Sequence, residues 1–133
     1  MSDIVRPMQA MDIDRVYELE KTCFRTPWSR DSLAGELKNK IAHYLVLERD
    51  GRVVAYAGMW IIYEEAHITN VAVDPAFRRQ GIAKRVMLCM MRTARLFDAT
   101  EMTLEVRENN LGAPPYCAVR SESFDTALRL QGR

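Results

Sequence analysis

Asp50-Gly51 stands between two apolar runs, 42–48 (AHYLVLE) and 52–63 (RVVAYAGMWIIY), and no other local feature constrains the chain as much. Both runs are rich in β-branched and aromatic residues, which suit a pleated, half-buried surface. An Asp-Gly pair supplies the two positive-φ residues of a type I′ turn, so the spacing predicts a tight antiparallel hairpin. The fold must therefore contain a sheet, and the rest of the chain has to supply its covering layers.

Residues 4–6 read as a short strand closed by Pro7. Asp12 is the expected N-cap of a helix whose apolar positions Ile13, Val16, Tyr17, Leu19, Cys23 and Phe24 recur at helical spacing. Thr26-Pro27-Trp28 breaks it, and Ser29 caps a second, shorter helix with Asp31 in its first turn and Leu33 and Leu37 on one face. A third strand covers 67–73 and ends at Asp74-Pro75. A helix from 81 to about 97 turns Ile82, Val86, Met87, Met90, Ala94 and Phe97 to one side. Residues 101–107 alternate as a half-buried strand should. The order β-α-α-β-β-β-α-β predicts an α/β (α+β) layer structure, a mixed and largely antiparallel sheet flanked by helices, in one domain over 1–133.

Composition excludes several classes. Nineteen Lys and Arg face eighteen Asp and Glu, so no global field draws nucleic acid or an anionic membrane. The longest apolar stretch, interrupted by Gly58, is too short to span a bilayer as a helix. Cys23, Cys89 and Cys117 are odd in number and have no metal-ligand spacing, which predicts no metal site and a reducing, cytoplasmic setting.

The chemistry is expected in 71–83, VAVDPAFRRQGIA, a strand running through a basic loop into a helix. Gly81 and Ala83 allow close approach of a ligand, and the unpaired amides of the first helical turn, with Arg78, Arg79 and Lys84 around them, suit a pyrophosphate. Neither a Walker loop nor a GxGxxG fingerprint is present.

With its continuation through Lys84-Arg85-Val86-Met87, this stretch resembles the acetyl-CoA-binding motif of the GNAT superfamily. Residues 4–8, 12–20 and 24–29 (FRTPWS) resemble the N-terminal half of bacterial ribosomal-protein-alanine N-acetyltransferases, the RimI type, and Leu104-Glu105-Val106-Arg107-x-x-Asn110 is similar to their fifth-strand signature. The resemblance covers roughly residues 4–112. It implies transfer of acetyl from acetyl-CoA, the cosubstrate, to the α-amino group of a protein N-terminus, with a ribosomal protein as partner.

By that resemblance the backbone of Val71, Ala72 and Val73 pairs with pantetheine, the turn of Arg78, Arg79, Gln80, Gly81, Ile82, Ala83 and Lys84 holds the pyrophosphate, and Asn110 meets the pantetheine arm. Glu105 falls on the family's general base, with His67 as the rival. Trp28, Tyr63, Glu65 and His67 are placed on the acceptor side. Two other readings stay open: a domain that binds acetyl-CoA or a partner without turnover, and a GNAT enzyme acting on lysine or small amines.

Residues 1–111 are family-like, and 112–133 form an atypical tail. The family's tyrosine, which reprotonates the CoA thiolate, falls on Cys117 when counted from Arg107, so the role passes to Tyr116, one residue earlier. Pro114-Pro115 is incompatible with a helix interior. The abrupt change is read as a frameshift or truncation after about Leu111. The closing strands are expected to be missing, residues 123–131 to form a short helix, and the bare edge of 101–107 to promote self-association.

Overall fold

A computed structural model describes residues 2–106, 118–120 and 126–131, with backbone alone from residue 104 onward. The predicted hairpin is present: β2 (Ala42–Arg49) and β3 (Arg52–Ile62) pair antiparallel, and the turn has Asp50 at φ 52° and Gly51 at φ 84°. β1 (Asp3–Pro7) adds to the free side of β2. β4 (Glu65–Val73) adds antiparallel to β3. β5 (Glu101–Val106) runs parallel to β4, a pairing that requires a crossover connection, here a helix, between the two strands. That helix is α3 (Ile82–Leu96).

The tail departs from expectation. β6 (Ala118–Arg120) pairs antiparallel with β4, and β7 (Thr126–Gln131) pairs with β5 from Glu101 to Val106. Residues 126–131 are thus a strand and not part of a helix, and the tail does supply sheet partners. Pairing with β7 satisfies the far edge of β5 along its whole length, so the bare edge on which self-association was argued is absent. Backbone pairing won over the local helical spacing of Phe124, Ala127 and Leu128 because β5 offers an unbroken row of donors and acceptors.

α1 (Ile13–Cys23) and α2 (Arg30–Glu36) cover one face of the sheet and α3 the other. On the α3 side Val86 and Met90 meet Leu47, Ala57, Met59 and Ile68. On the opposite side Val16, Leu19 and Leu33 meet Val46 and Tyr56. Ser29 caps α2 as expected, its Oγ accepting from Ser32 N at 3.0 Å. Asp12 does not cap α1 through its side chain. Its carboxylate accepts from Gln9 N at 2.8 Å and pairs with Arg6 at 2.8 Å, closing the short 3₁₀ turn before the helix. Leu37 and Phe97, expected inward, are 40% and 51% exposed, since both lie just past their helix ends, where the spacing no longer holds. Among the described residues no helix is long and apolar enough to cross a membrane, and no group of His, Cys, Asp or Glu could hold a metal ion.

Candidate active site

β4 delivers the chain to the basic turn, and three contacts pin it there. Asp74 Oδ1 accepts from Ala76 N at 2.9 Å, starting the 3₁₀ turn Pro75–Phe77. Arg15, from α1, donates to Asp74 Oδ2 at 2.5 Å and to the Val53 carbonyl at 2.8 Å. The backbone then passes through two left-handed residues, Arg79 at φ 63° and Gly81 at φ 74°, before α3 begins. The first intrahelical bond runs from Arg85 N to Gly81 O at 3.1 Å, so the amides of Ile82, Ala83 and Lys84 have no partner within the helix.

Val73, Phe77, Arg78, Arg79, Gly81, Ile82 and Ala83 line a cleft of about 320 Å³ at this turn. Nothing lies within 4 Å of where a Cβ on Gly81 would stand, so the space above that backbone is open to a ligand. Arg78 Nε is buried without a hydrogen-bond partner among the described residues. A buried N–H of a cation in that state calls for an anionic oxygen, and with the α3 N-terminus beside it the turn fits a pyrophosphate. Two predicted members stand apart. The Gln80 side chain accepts from Arg49 Nη1, and Lys84 is exposed on α3, where it adds charge without lining the cleft. Phe77 was not foreseen, because an aromatic between Pro75 and Arg78 carries no periodic signal.

Val71, Ala72 and Val73 form the end of β4 next to the turn, and all three are buried. Past His67, β4 and β5 no longer pair. β6 takes the vacated edge instead, with Asn70, Val71 and Ala72 opposite Arg120, Val119 and Ala118. Backbone that was expected to meet pantetheine is therefore engaged by the tail.

Glu105 occupies β5 at the register position opposite Ala127, two residues beyond Thr103, which pairs with His67. Asn110 and Tyr116 lie outside the described residues. Glu65 and His67 alternate with buried Ala66 and therefore share a sheet face; His67 Nε2 is 4.0 Å from Glu65 Oε1. Trp28 is half-buried against the α1–α2 core. Tyr63 is 94% exposed at φ 55°, in the turn before β4 and hence at the end of that strand away from the basic turn.

Sequence reasoning passed over a group that the fold brings together beneath the α1–α2 layer. Glu20 of α1, wholly buried, accepts from Tyr56 Oη and from Trp28 N at 2.8 Å. Asn70 Nδ2 donates to Tyr56 Oη at 3.1 Å and reaches Glu20 Oε2 at 3.4 Å. Thr69 Oγ1 donates to Asn70 Oδ1 at 2.7 Å and lies 3.4 Å from Tyr44 Oη, which donates to Glu36 Oε1 at 2.8 Å. Burial pushes the Tyr44 phenol well above its usual range, so it remains a donor. A signal was present: Glu20 falls four residues after Val16 on the apolar stripe of α1, where a carboxylate needs partners.

An α/β sheet in which β4 and β5 part after three parallel pairs, with a basic turn and a helix N-terminus following β4, is an arrangement that suits a transferase binding an acyl-CoA. The Acetyltransferase (GNAT) family model matches residues 13–118, and the chain belongs to that family. A Bacillus subtilis (strain 168) relative, provisionally designated a [ribosomal protein bS18]-alanine N-acetyltransferase, is 42% identical over 80% of this chain and 71% of its own length. The [ribosomal protein bS18]-alanine N-acetyltransferase of Haemophilus ducreyi is 31% identical over 80% and 73%. The crystal structure of the Escherichia coli ribosomal-protein-S18-alanine N-acetyltransferase superposes with a TM-score of 0.75 at 24% identity, covering 84% of this chain and 72% of that one.

Proposed function

We propose that the protein is a cytoplasmic N-acetyltransferase that moves the acetyl group of acetyl-CoA to the α-amino group of a protein N-terminus, with the N-terminal alanine of ribosomal protein bS18 as acceptor. The cleft at 73–83 carries this reading. Its open Gly81, orphaned Arg78 Nε and unpartnered helix amides suit the CoA pyrophosphate, and the acceptor follows from the 42% identical relative.

In the reaction the neutral α-amine attacks the thioester carbonyl, a C–N bond forms, the C–S bond breaks and the thiolate leaves as CoA. An α-amine with a pKa of about 7.7–8.0 is largely protonated at neutral pH, so a base must take its proton. Glu105 is assigned that task, and Tyr116 returns a proton to the thiolate. Asn110 is assigned to the pantetheine arm. Val71–Val73 offer their backbone to it once β6 leaves the edge.

The test incubates the protein with acetyl-CoA and a peptide copying the bS18 N-terminus, and locates the acetyl group by mass spectrometry. Acetylation of the α-amine is expected; acetylation of a lysine in an α-blocked peptide at equal rate refutes the acceptor class. Gly81→Leu, which places a side chain in the open space over the turn, is expected to abolish acetyl-CoA binding by calorimetry in the folded variant. Unchanged affinity refutes the placement.

A further inference from the structure

Glu20 is a carboxylate with no exposed surface, it takes no part in the chemistry above, and yet it collects hydrogen bonds from three separate pieces of the chain. Trp28 N comes from the α1–α2 connection, Tyr56 Oη from β3 and Asn70 Nδ2 from β4. Burying a carboxylate is costly unless hydrogen bonds to its charged form replace water. Such a group is retained where it holds an arrangement that apolar packing alone leaves loose.

The arrangement in question joins the two sides of the site. Asn70 lies three residues past His67, the last β4 residue paired with β5, and it begins the stretch 70–73 beside the cofactor cleft. It also follows a bulge. Gly58 pairs with Asn70 and Met59 with Ile68, so Thr69 has no opposite residue on β3. A bulge is unconstrained by the ladder at that point, and here side chains fix it: Thr69 Oγ1 to Asn70 Oδ1, then Asn70 Nδ2 to Tyr56 and Glu20. Trp28, at the other end of the same carboxylate, is itself expected on the acceptor side and sits within 24–29.

We infer that Glu20 is a positioning residue that fastens the acceptor-side segment 24–29 to the β4 bulge through Tyr56 and Asn70, so that the incoming amine and the thioester are held at one fixed separation. The inference rests on the acetyl-transfer reading of the site. The basic turn 78–83 shares no hydrogen bond with this cluster among the described residues, so cofactor binding should be insensitive to it.

The experiment uses Glu20→Gln, which keeps shape but replaces one acceptor oxygen by a donor, and Tyr56→Phe, which removes only a hydroxyl. Each is assayed well below its melting temperature, where a purely stabilising role leaves kinetics unaltered. The expected result is a fall of about 10- to 100-fold in kcat/KM for the acceptor peptide, the scale of a misplaced reactant, with the acetyl-CoA Kd within twofold of the parent. Trypsin cleavage after exposed Arg25 should also accelerate, reporting the freed segment directly.

Parent kinetics and parent cleavage rates in a folded variant overturn the inference, as does an acetyl-CoA Kd that weakens in step with the acceptor. If Glu20→Gln does not fold, Tyr56→Phe decides alone. If the unaltered chain fails to acetylate the peptide, the functional reading falls, and the cleavage rates by themselves still judge the clamp.

Discussion

Gly58→Ala is a one-methyl change whose effect can be worked out from the sheet. Gly58 lies opposite Tyr44 in the β2–β3 ladder, and the tyrosine ring lies across it. A Cβ at 58 would stand 2.3, 2.4 and 2.7 Å from Tyr44 Cε2, Cζ and Cδ2, far inside van der Waals contact. The ring must move by about 1 Å or more to restore a carbon separation of 3.5 Å. Tyr44 is 6% exposed and its hydroxyl is held at 2.8 Å by Glu36, so the ring cannot swing without losing that bond. Overpacking a buried site costs about 1–3 kcal/mol, and a lost hydrogen bond to a carboxylate costs about 1.5–3 kcal/mol. Replacing glycine returns about 0.4–1 kcal/mol through the unfolded chain. The net expectation is destabilisation by about 2–5 kcal/mol, or a melting temperature lower by about 10–20 °C for a domain of this size. Urea unfolding followed by circular dichroism measures it. In a Tyr44→Ala background the same change should cost less than about 1 kcal/mol, because the opposing ring is gone. A Gly58→Ala protein within about 1 kcal/mol of the parent, or equal costs in the two backgrounds, refutes the packing argument.

Glu105→Gln should lower the acetylation rate by about 10²–10⁴-fold with cofactor affinity nearly intact; a fully active variant beside an inactive His67→Ala would move the base to His67. Val119→Pro removes a backbone donor from β6 and weakens its hold on Asn70–Ala72. Acetyl-CoA should then bind about 10-fold more tightly by calorimetry, since the edge is no longer contested, and equal or weaker binding by the folded variant would show that β6 and the cofactor do not compete. Asp12 is nearly buried, and its hydrogen bonds from Arg6 hold its carboxyl below the ordinary value of 3.8, so its contribution is present above that pH and is lost as pH falls through the lower folded-state value. Asp12→Asn should cost about 2–3 kcal/mol at neutral pH, allowing for the partial exposure of Arg6. It should also flatten stability below pH 4, and a variant with an undiminished acid transition would assign that transition elsewhere.

The sequence by itself determined whatever depends on neighbours along the chain. Asp50-Gly51 set the hairpin because the pair readily takes the two positive φ values of a type I′ turn, which matches the twist of the strands it joins. The stripes of α1 and α3 showed which faces would be buried, and the passage from β4 through Arg78 and Gly81 into α3 marked the candidate anion site, because a helix start exposes its amides wherever it occurs. Tertiary structure decided what depends on residues far apart. Glu20, Tyr56 and Asn70 are separated by up to 50 positions, and only stacking α1 on β3 and β4 makes one buried hydrogen-bonded group of them. The tail went the same way. The spacing of Phe124, Ala127 and Leu128 suggests a helix over 123–131, but β5 presents a full row of backbone groups to satisfy, and pairing with them makes 126–131 a strand. Likewise nothing in Ala118-Val119-Arg120 marks it as a partner for Asn70–Ala72. That contact exists because β4 and β5 part after His67 and leave an edge that backbone from elsewhere in the chain can satisfy.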